Sequence, residues 1–190
     1  MKKSIFLCLL LVMVLALGSI SFAATDTATQ TVSLHVDEMA LLEIEGPSSI
    51  SLAVTAPNNN IGRAPNGQNS FHSSIGSMYL HYTSTVGMES SRSISVERGI
   101  SDAIPAGTKL ELGIKEMPTV FGNIGSKTTM YANLNNSGSQ DIITGIGSCY
   151  TGDGSTDGPL FNYRFKVEDV SELVANDSSS ITVTFTLTDN

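Results

Sequence analysis

Three features predict an all-β protein: apolar side chains at every second position in most ordered-looking runs, turn residues between those runs, and no long helical stretch. The expected architecture is an antiparallel two-sheet sandwich, Ig-like or jelly-roll-like, with one short helix. The clearest run is Ile181 to Thr188, where Ile181, Val183, Phe185 and Leu187 alternate with Thr182, Thr184, Thr186 and Thr188. Successive strand side chains point to opposite faces, so this run has an apolar ridge and a hydroxyl face and reads as a half-buried strand. Asn190 follows closely, so this strand is expected to close the sheet.

The first 23 residues read as a signal peptide. Lys2 and Lys3 form a basic start, Ile5 to Leu17 is an apolar run, and Ser21-Phe22-Ala23 supplies small residues for cleavage after Ala23. The run falls short of the roughly 20 residues that span a bilayer, which favours removal over anchoring. The remainder, residues 24–190, fits a single domain.

Cleavage would take two of the 10 Lys plus Arg and none of the 18 Asp plus Glu, leaving 8 against 18, a balance of −10. That sign argues against nucleic acid and against charge-driven adhesion to anionic lipid. Of the two cysteines, Cys8 leaves with the peptide, so Cys149 cannot form an internal disulfide. Burial as a small apolar side chain is its favoured state, with an intermolecular bridge as the other.

Along the rest of the chain, Thr25 to Thr31 is a polar approach to Val32, Leu34 and Val36, which alternate with Ser33, His35 and Asp37 as a first strand. Leu42 and Ile44 alternate with Glu43 and Glu45 before a Gly46-Pro47 break, and Ile50, Leu52 and Val54 form the next run. Periodicity is then lost over residues 56–77, a connection long enough to be functional. Met78, Leu80 and Tyr82 are expected to pair with Ile94 and Val96 around Gly87.

Leu110, Leu112 and Ile114 follow a Pro105-Ala106-Gly107 turn. Residues 121–138 read as polar, with a short strand near Met130 to Leu134, and Asp141 to Gly147 carries Ile142, Ile143 and Ile146. Phe161, Tyr163, Phe165 and Val167 alternate with Asn162, Arg164, Lys166 and Glu168, and this run is the expected partner of the last strand. Between the two, Asp169 reads as an N-cap with Glu172 three residues on, opening a helix of at most two turns to Ala175.

One segment suggests a metal. Asp153-Gly154-Ser155-Thr156-Asp157-Gly158 has oxygen-bearing side chains at alternate positions and glycine at the sixth, like the first half of a calcium loop, so Asp153, Ser155 and Asp157 are candidate ligands. Arg164 occupies the twelfth position, where a bidentate Glu belongs, and the plainer reading is a polar loop. His35, His72 and His81 lack metal-ligand spacing, and no nucleophile elbow or dinucleotide fingerprint is present. Asn135-Asn136-Ser137 and Asn176-Asp177-Ser178 match the glycosylation acceptor pattern, and Tyr79, Tyr131 and Tyr150 are aromatics that could stack on sugar.

Asp141 to Thr151 (DIITGIGSCYT) and Ile181 to Asn190 (ITVTFTLTDN) resemble a group of functionally uncharacterised secreted bacterial β-sandwich proteins with similar endings. More loosely, the signal peptide, the threonine-rich alternating N-terminal segment and the alternating last strand are similar to the fimbrial subunits of chaperone–usher pili. The chain departs from that pattern in lacking a pair of cysteines and a recognisable pilin terminus.

The expected function is that of a non-enzymatic secreted or cell-surface structural or adhesive protein, in a surface assembly with itself or other surface proteins. Val32, Leu34 and Val36 would then add as a strand to an open edge on a neighbour. The other reading, slightly favoured by the sequence, pairs the same segment within its own domain. The alternative function is an extracellular ligand-binding module that uses the loops at 56–77 and 151–158, with calcium as the candidate ion.

Overall fold

A computed structural model describes residues 28–55, 62–69, 77–88, 90–118, 121–129, 131–175 and 177–190. The chain divides into two compact units, Met1–His35 and Val36–Asn190. The second holds ten strands: β1 (Met39–Glu45), β2 (Gln68–Asn69), β3 (Met78–Thr85), β4 (Arg92–Arg98), β5 (Thr108–Glu116), β6 (Phe121–Lys127), β7 (Ala132–Asn133), β8 (Gln140–Tyr150), β9 (Leu160–Val167) and β10 (Val183–Asp189). All pair antiparallel in one sheet of order β10-β4-β8-β3-β9-β5-β7, with β1 on β3, β2 on β9 and β6 on β8. The all-β class follows from the period-two pattern.

Alternation is strictest in β3, where Met78, Leu80 and Tyr82 are buried and the residues between them half-buried. With Ile94 and Val96 of β4, Leu112 and Ile114 of β5, Ile142, Ile143 and Ile146 of β8 and Phe161 of β9 they form the core. Residues distant in strand order meet there. The rings of Phe161 in β9 and Phe185 in β10 lie 5.3 Å apart, and Arg98 in β4 donates from Nε to the Leu134 carbonyl at 2.8 Å. The Leu134 N–H in turn donates to the Leu110 carbonyl of β5.

Several elements differ from the sequence-based expectation. β3 and β4 are not ladder neighbours, because they pair one after the other along the same edge of β8, whose other edge takes β6. Eleven residues long and bulged against β4, β8 serves β4 from Gln140 to Ile146 and β3 at Cys149 and Tyr150. β9 is not the ladder partner of β10, which pairs with β4, and the two meet through the rings of Phe161 and Phe185. Ile50 and Leu52 pack on the core without forming a strand.

β6 was illegible because Phe-Gly-Asn-Ile-Gly-Ser-Lys does not alternate; it is a strand because β8 offers it an edge. In place of a helix of up to two turns there is a single 3₁₀ turn, Val170–Glu172. Asp169 does cap it, accepting from the Ser171 N–H at 2.9 Å. No residue of the turn is buried, so no packed apolar face stabilises further turns.

Residues 28–38 contain no strand. Val32, Leu34 and Val36 are 69%, 90% and 78% exposed, against the expectation of internal pairing.

Candidate functional site

The sheet edges are the chemically distinctive feature of the described residues, since an edge strand carries backbone N–H and C=O groups that no second described strand takes up. Among the described strands β10 pairs on one side only, with β4, through an unbroken register from Val183↔Arg98 to Asp189↔Arg92. Val183, Phe185 and Leu187 pack against the core yet stay half-buried, while Thr184, Thr186 and Thr188 are exposed.

The β6 edge is different. Its pairing with β8 is bulged between Gly122 and Ile124. Gly122 (φ 87°) and Gly125 (φ 78°) are left-handed, and a Cβ would lie 2.2 Å from the Ser148 carbonyl oxygen at the first and 2.5 Å from that of Thr144 at the second. β1, at a third edge, presents Glu43 and Glu45.

Arg92 holds the end of β10 in place. Only 4% exposed, it donates from Nε to Asp189 Oδ1 at 2.6 Å. Its Nη1 donates to the carbonyls of Thr85 (3.0 Å) and Met39 and to the Ser84 hydroxyl (3.1 Å), and Nη2 lies 3.9 Å from Glu38. One buried guanidinium thus ties β4 to β10, β3 and the start of β1. Sequence reasoning passed over Arg92, although the signal was present: it shares parity with Ile94 and Val96, which puts a charge on the buried face, where it needs partners.

A second charge cluster joins β5 and β9. Glu111 is 6% exposed and opposite Arg164, which donates to it from Nε at 2.7 Å, and Lys166 lies 3.0 Å away. Lys109 bridges Glu111 and Glu168, and Arg164 also stacks on Tyr131 at 3.8 Å. Burial alone would raise the Glu111 pKa; hydrogen bonds and charge from Lys166 and Arg164 outweigh it and hold the carboxyl below its ordinary value.

In the loop between β8 and β9, the Gly154 N–H donates to Asp157 Oδ2 at 2.8 Å, and the Asp157 N–H donates back to the Gly154 carbonyl. His81 Nε2 lies 3.1 Å from the Asp157 carbonyl oxygen. Asp157 Oδ2 thus closes its own turn, while Asp153 and Ser155 are exposed. Among the described residues no three His, Cys, Asp or Glu side chains are grouped to hold a metal ion.

Cys149 is free and buried, and burial raises its thiol pKa. Asn135 spends its side chain on the Leu110 N–H and the Thr108 carbonyl, both at 2.8 Å. Tyr150 stacks on Phe121 with centroids 4.8 Å apart, and both are exposed. Tyr79 is half-buried on β3, and His35 is exposed. His72, Asn176, and residues 56–61 and 70–76 of the long connection lie outside the described residues.

No family model, curated protein or solved structure matches this chain.

Proposed function

We propose that this chain is a non-enzymatic structural or adhesive subunit of an extracellular surface assembly, joined to its neighbours by strand addition. The observation that carries the reading is residues 32–36: Val32, Leu34 and Val36 alternate as strand residues do, remain 69–90% exposed and lie in no strand. Three large apolar side chains in water are costly, at roughly 25 cal/mol per Å² of apolar surface that a partner could cover. An edge strand on a second molecule covers them.

In this reading the sheet is folded over into two layers. β10 and β9 share no ladder, since β10 pairs with β4 and β9 with β3 and β5, yet the rings of Phe161 and Phe185 lie 5.3 Å apart, which favours two packed faces. Residues 1–23 act as the signal peptide that directs the protein out of the cell. No described helix is long and apolar enough to cross a membrane.

Deleting residues 24–37 and following both assembly and thermal melting tests the proposal. The expected result is loss of polymers with melting unchanged. A deletion variant that melts far below the parent would instead make the segment an internal strand and overturn the reading.

A further inference from the structure

We infer that the outward face of β1, β3, β8 and β6 is a docking surface for a second copy of this chain, packed face to face about a two-fold axis. The contact does not involve residues 32–36 and goes beyond the strand-addition reading. Directly opposite residues of an antiparallel ladder share a face. The pairs Leu41↔Thr83, Thr83↔Tyr150 and Phe121↔Tyr150 therefore set Leu41, Thr83, Tyr150 and Phe121 in one row across four strands. Met39, two residues before Leu41, is on the same face and opposes Thr85. Met39, Leu41, Phe121 and Tyr150 are 44%, 60%, 66% and 47% exposed.

Rows on the polar sides of other strands are built differently. Along β4 and β10, Ser95 opposes Thr186 and Glu97 opposes Thr184; along β5 and β9, Glu111 opposes Arg164 and Lys109 opposes Lys166. Met88, Ile100, Val170 and Val174 are also exposed but lie outside the strands. Scattered apolar residues of that kind are ordinary, whereas a contiguous apolar patch marks an interaction site. The row from Leu41 to Phe121 carries no charge, and aromatic residues are enriched in protein–protein interfaces. With centroids 4.8 Å apart and planes at 11°, the Phe121 and Tyr150 rings are already ordered, so a partner that covers them costs little side-chain freedom.

Shape and charge both select a second copy as the occupant. A two-fold axis parallel to the strands reverses the row, so that Leu41 meets Phe121 of the second copy and Thr83 meets its Tyr150, a small side chain against a large ring. Glu43 shares the face of Leu41 and is exposed, at the β1 end of the row. Reversal sends the Glu43 of each copy to opposite ends of the contact, so a chain of formal charge −8 meets itself without opposed carboxylates. At about 200 Å² for a whole large side chain, the four apolar residues expose roughly 400 Å². With Thr83, Thr85 and Ser148 around them the face falls at the low end of interface sizes, about 600 Å² per partner, where association is reversible. A two-fold contact closes on itself, so it stops at two copies.

Sedimentation of the full chain carrying V32D, L34D and V36D, which removes strand addition as a source of mass, tests the surface. From roughly 10 to 500 μM the mass is expected to rise toward twice the monomer and no further, and to do so at lower concentration when salt screens the two like-charged copies. Leu41→Asp and Phe121→Asp, at opposite ends of the row, are each expected to hold the chain at monomer mass while it keeps a cooperative melt. Mixing a Leu41→Cys chain with a Phe121→Cys chain is expected to give a disulfide-linked dimer that neither forms alone. A monomer at every concentration overturns the inference, as does a dimer that survives both aspartates or weakens with salt. Leu41→Cys linking to itself overturns the reversed row. A monomer whose Tyr150 ring signals shift with a mannose oligosaccharide or an oligoarginine peptide gives the face to another occupant and overturns the second copy. Loss of polymers on deleting residues 24–37 is independent of all these outcomes, so the two readings fail separately.

Discussion

Residues 32–36 (VSLHV) and 183–187 (VTFTL) carry the same pattern, three apolar side chains separated by polar ones. One is a strand whose apolar face packs on the core; the other is exposed and in no strand. The difference lies outside both segments. β10 has β4 beside it and Phe161 beneath it, and Asp189 at its end is clasped by Arg92. Alternation therefore marks a segment as able to become a strand, while a partner edge decides whether it does.

Truncating the two segments should separate their roles most sharply. Phe185→Ala removes a half-buried ring from the core and is expected to cost about 2–3 kcal/mol, somewhat below the fully buried case. Leu34→Ala should change stability by less than about 0.5 kcal/mol, as surface substitutions do, yet weaken assembly. Denaturant unfolding of both variants, with light scattering for assembly, measures this. Equal destabilisation by the two would mean that residues 32–36 are part of the folded domain.

The Arg92 clasp offers the next largest effect. Arg92→Met keeps the aliphatic bulk but strips the hydrogen bonds from the Thr85 and Met39 carbonyls and Asp189. The expected loss is about 2 kcal/mol, near the value of hydrogen bonds to charged groups. Hydrogen exchange should show β10 opening before β3 in this variant, and uniform exchange would argue that Arg92 does not hold the edge.

Glu111 gives a smaller, pH-dependent effect. Its folded pKa is depressed, so its contribution is fully present above the unfolded value of ~4.3 and lost as pH falls through the folded pKa. Glu111→Gln should therefore be less stable than the parent at neutral pH, with the gap closing in acid. A gap that widens below pH 4 would contradict the assigned partners. The smallest effect belongs to the β8–β9 loop: with Asp157 turned onto the Gly154 N–H, Asp157→Ala should cost about 1 kcal/mol or less. Calcium titrated into the parent chain should leave its melting temperature unchanged, and a rise would reopen Asp153, Ser155 and Asp157 as ligands.

Much of the sheet was legible in advance because β1, β3, β4, β5, β9 and β10 each have apolar residues at period two within a short window. β6 was not, because its strand geometry comes from β8 and not from its own side chains. Pairing order was also hidden: β8 takes β4 and then β3 along one edge, with bulges that depend on how two strands meet. At the candidate site, residues 32–36 were legible as an alternating segment, and β10 as a strand. Arg92 could have been found by parity. Asp153, Ser155 and Asp157 match a calcium loop by spacing, and spacing says nothing about which N–H groups a carboxylate meets.

By itself, the sequence determined the all-β class and the half-buried character of the last strand, since these depend on the two-residue period of one chain segment. The tertiary structure alone decided which strands are neighbours, where Arg92 and Glu111 find their partners, and which edge is left regular and uncharged. Those outcomes depend on contacts between residues far apart in the chain, and local periodicity carries no information about them.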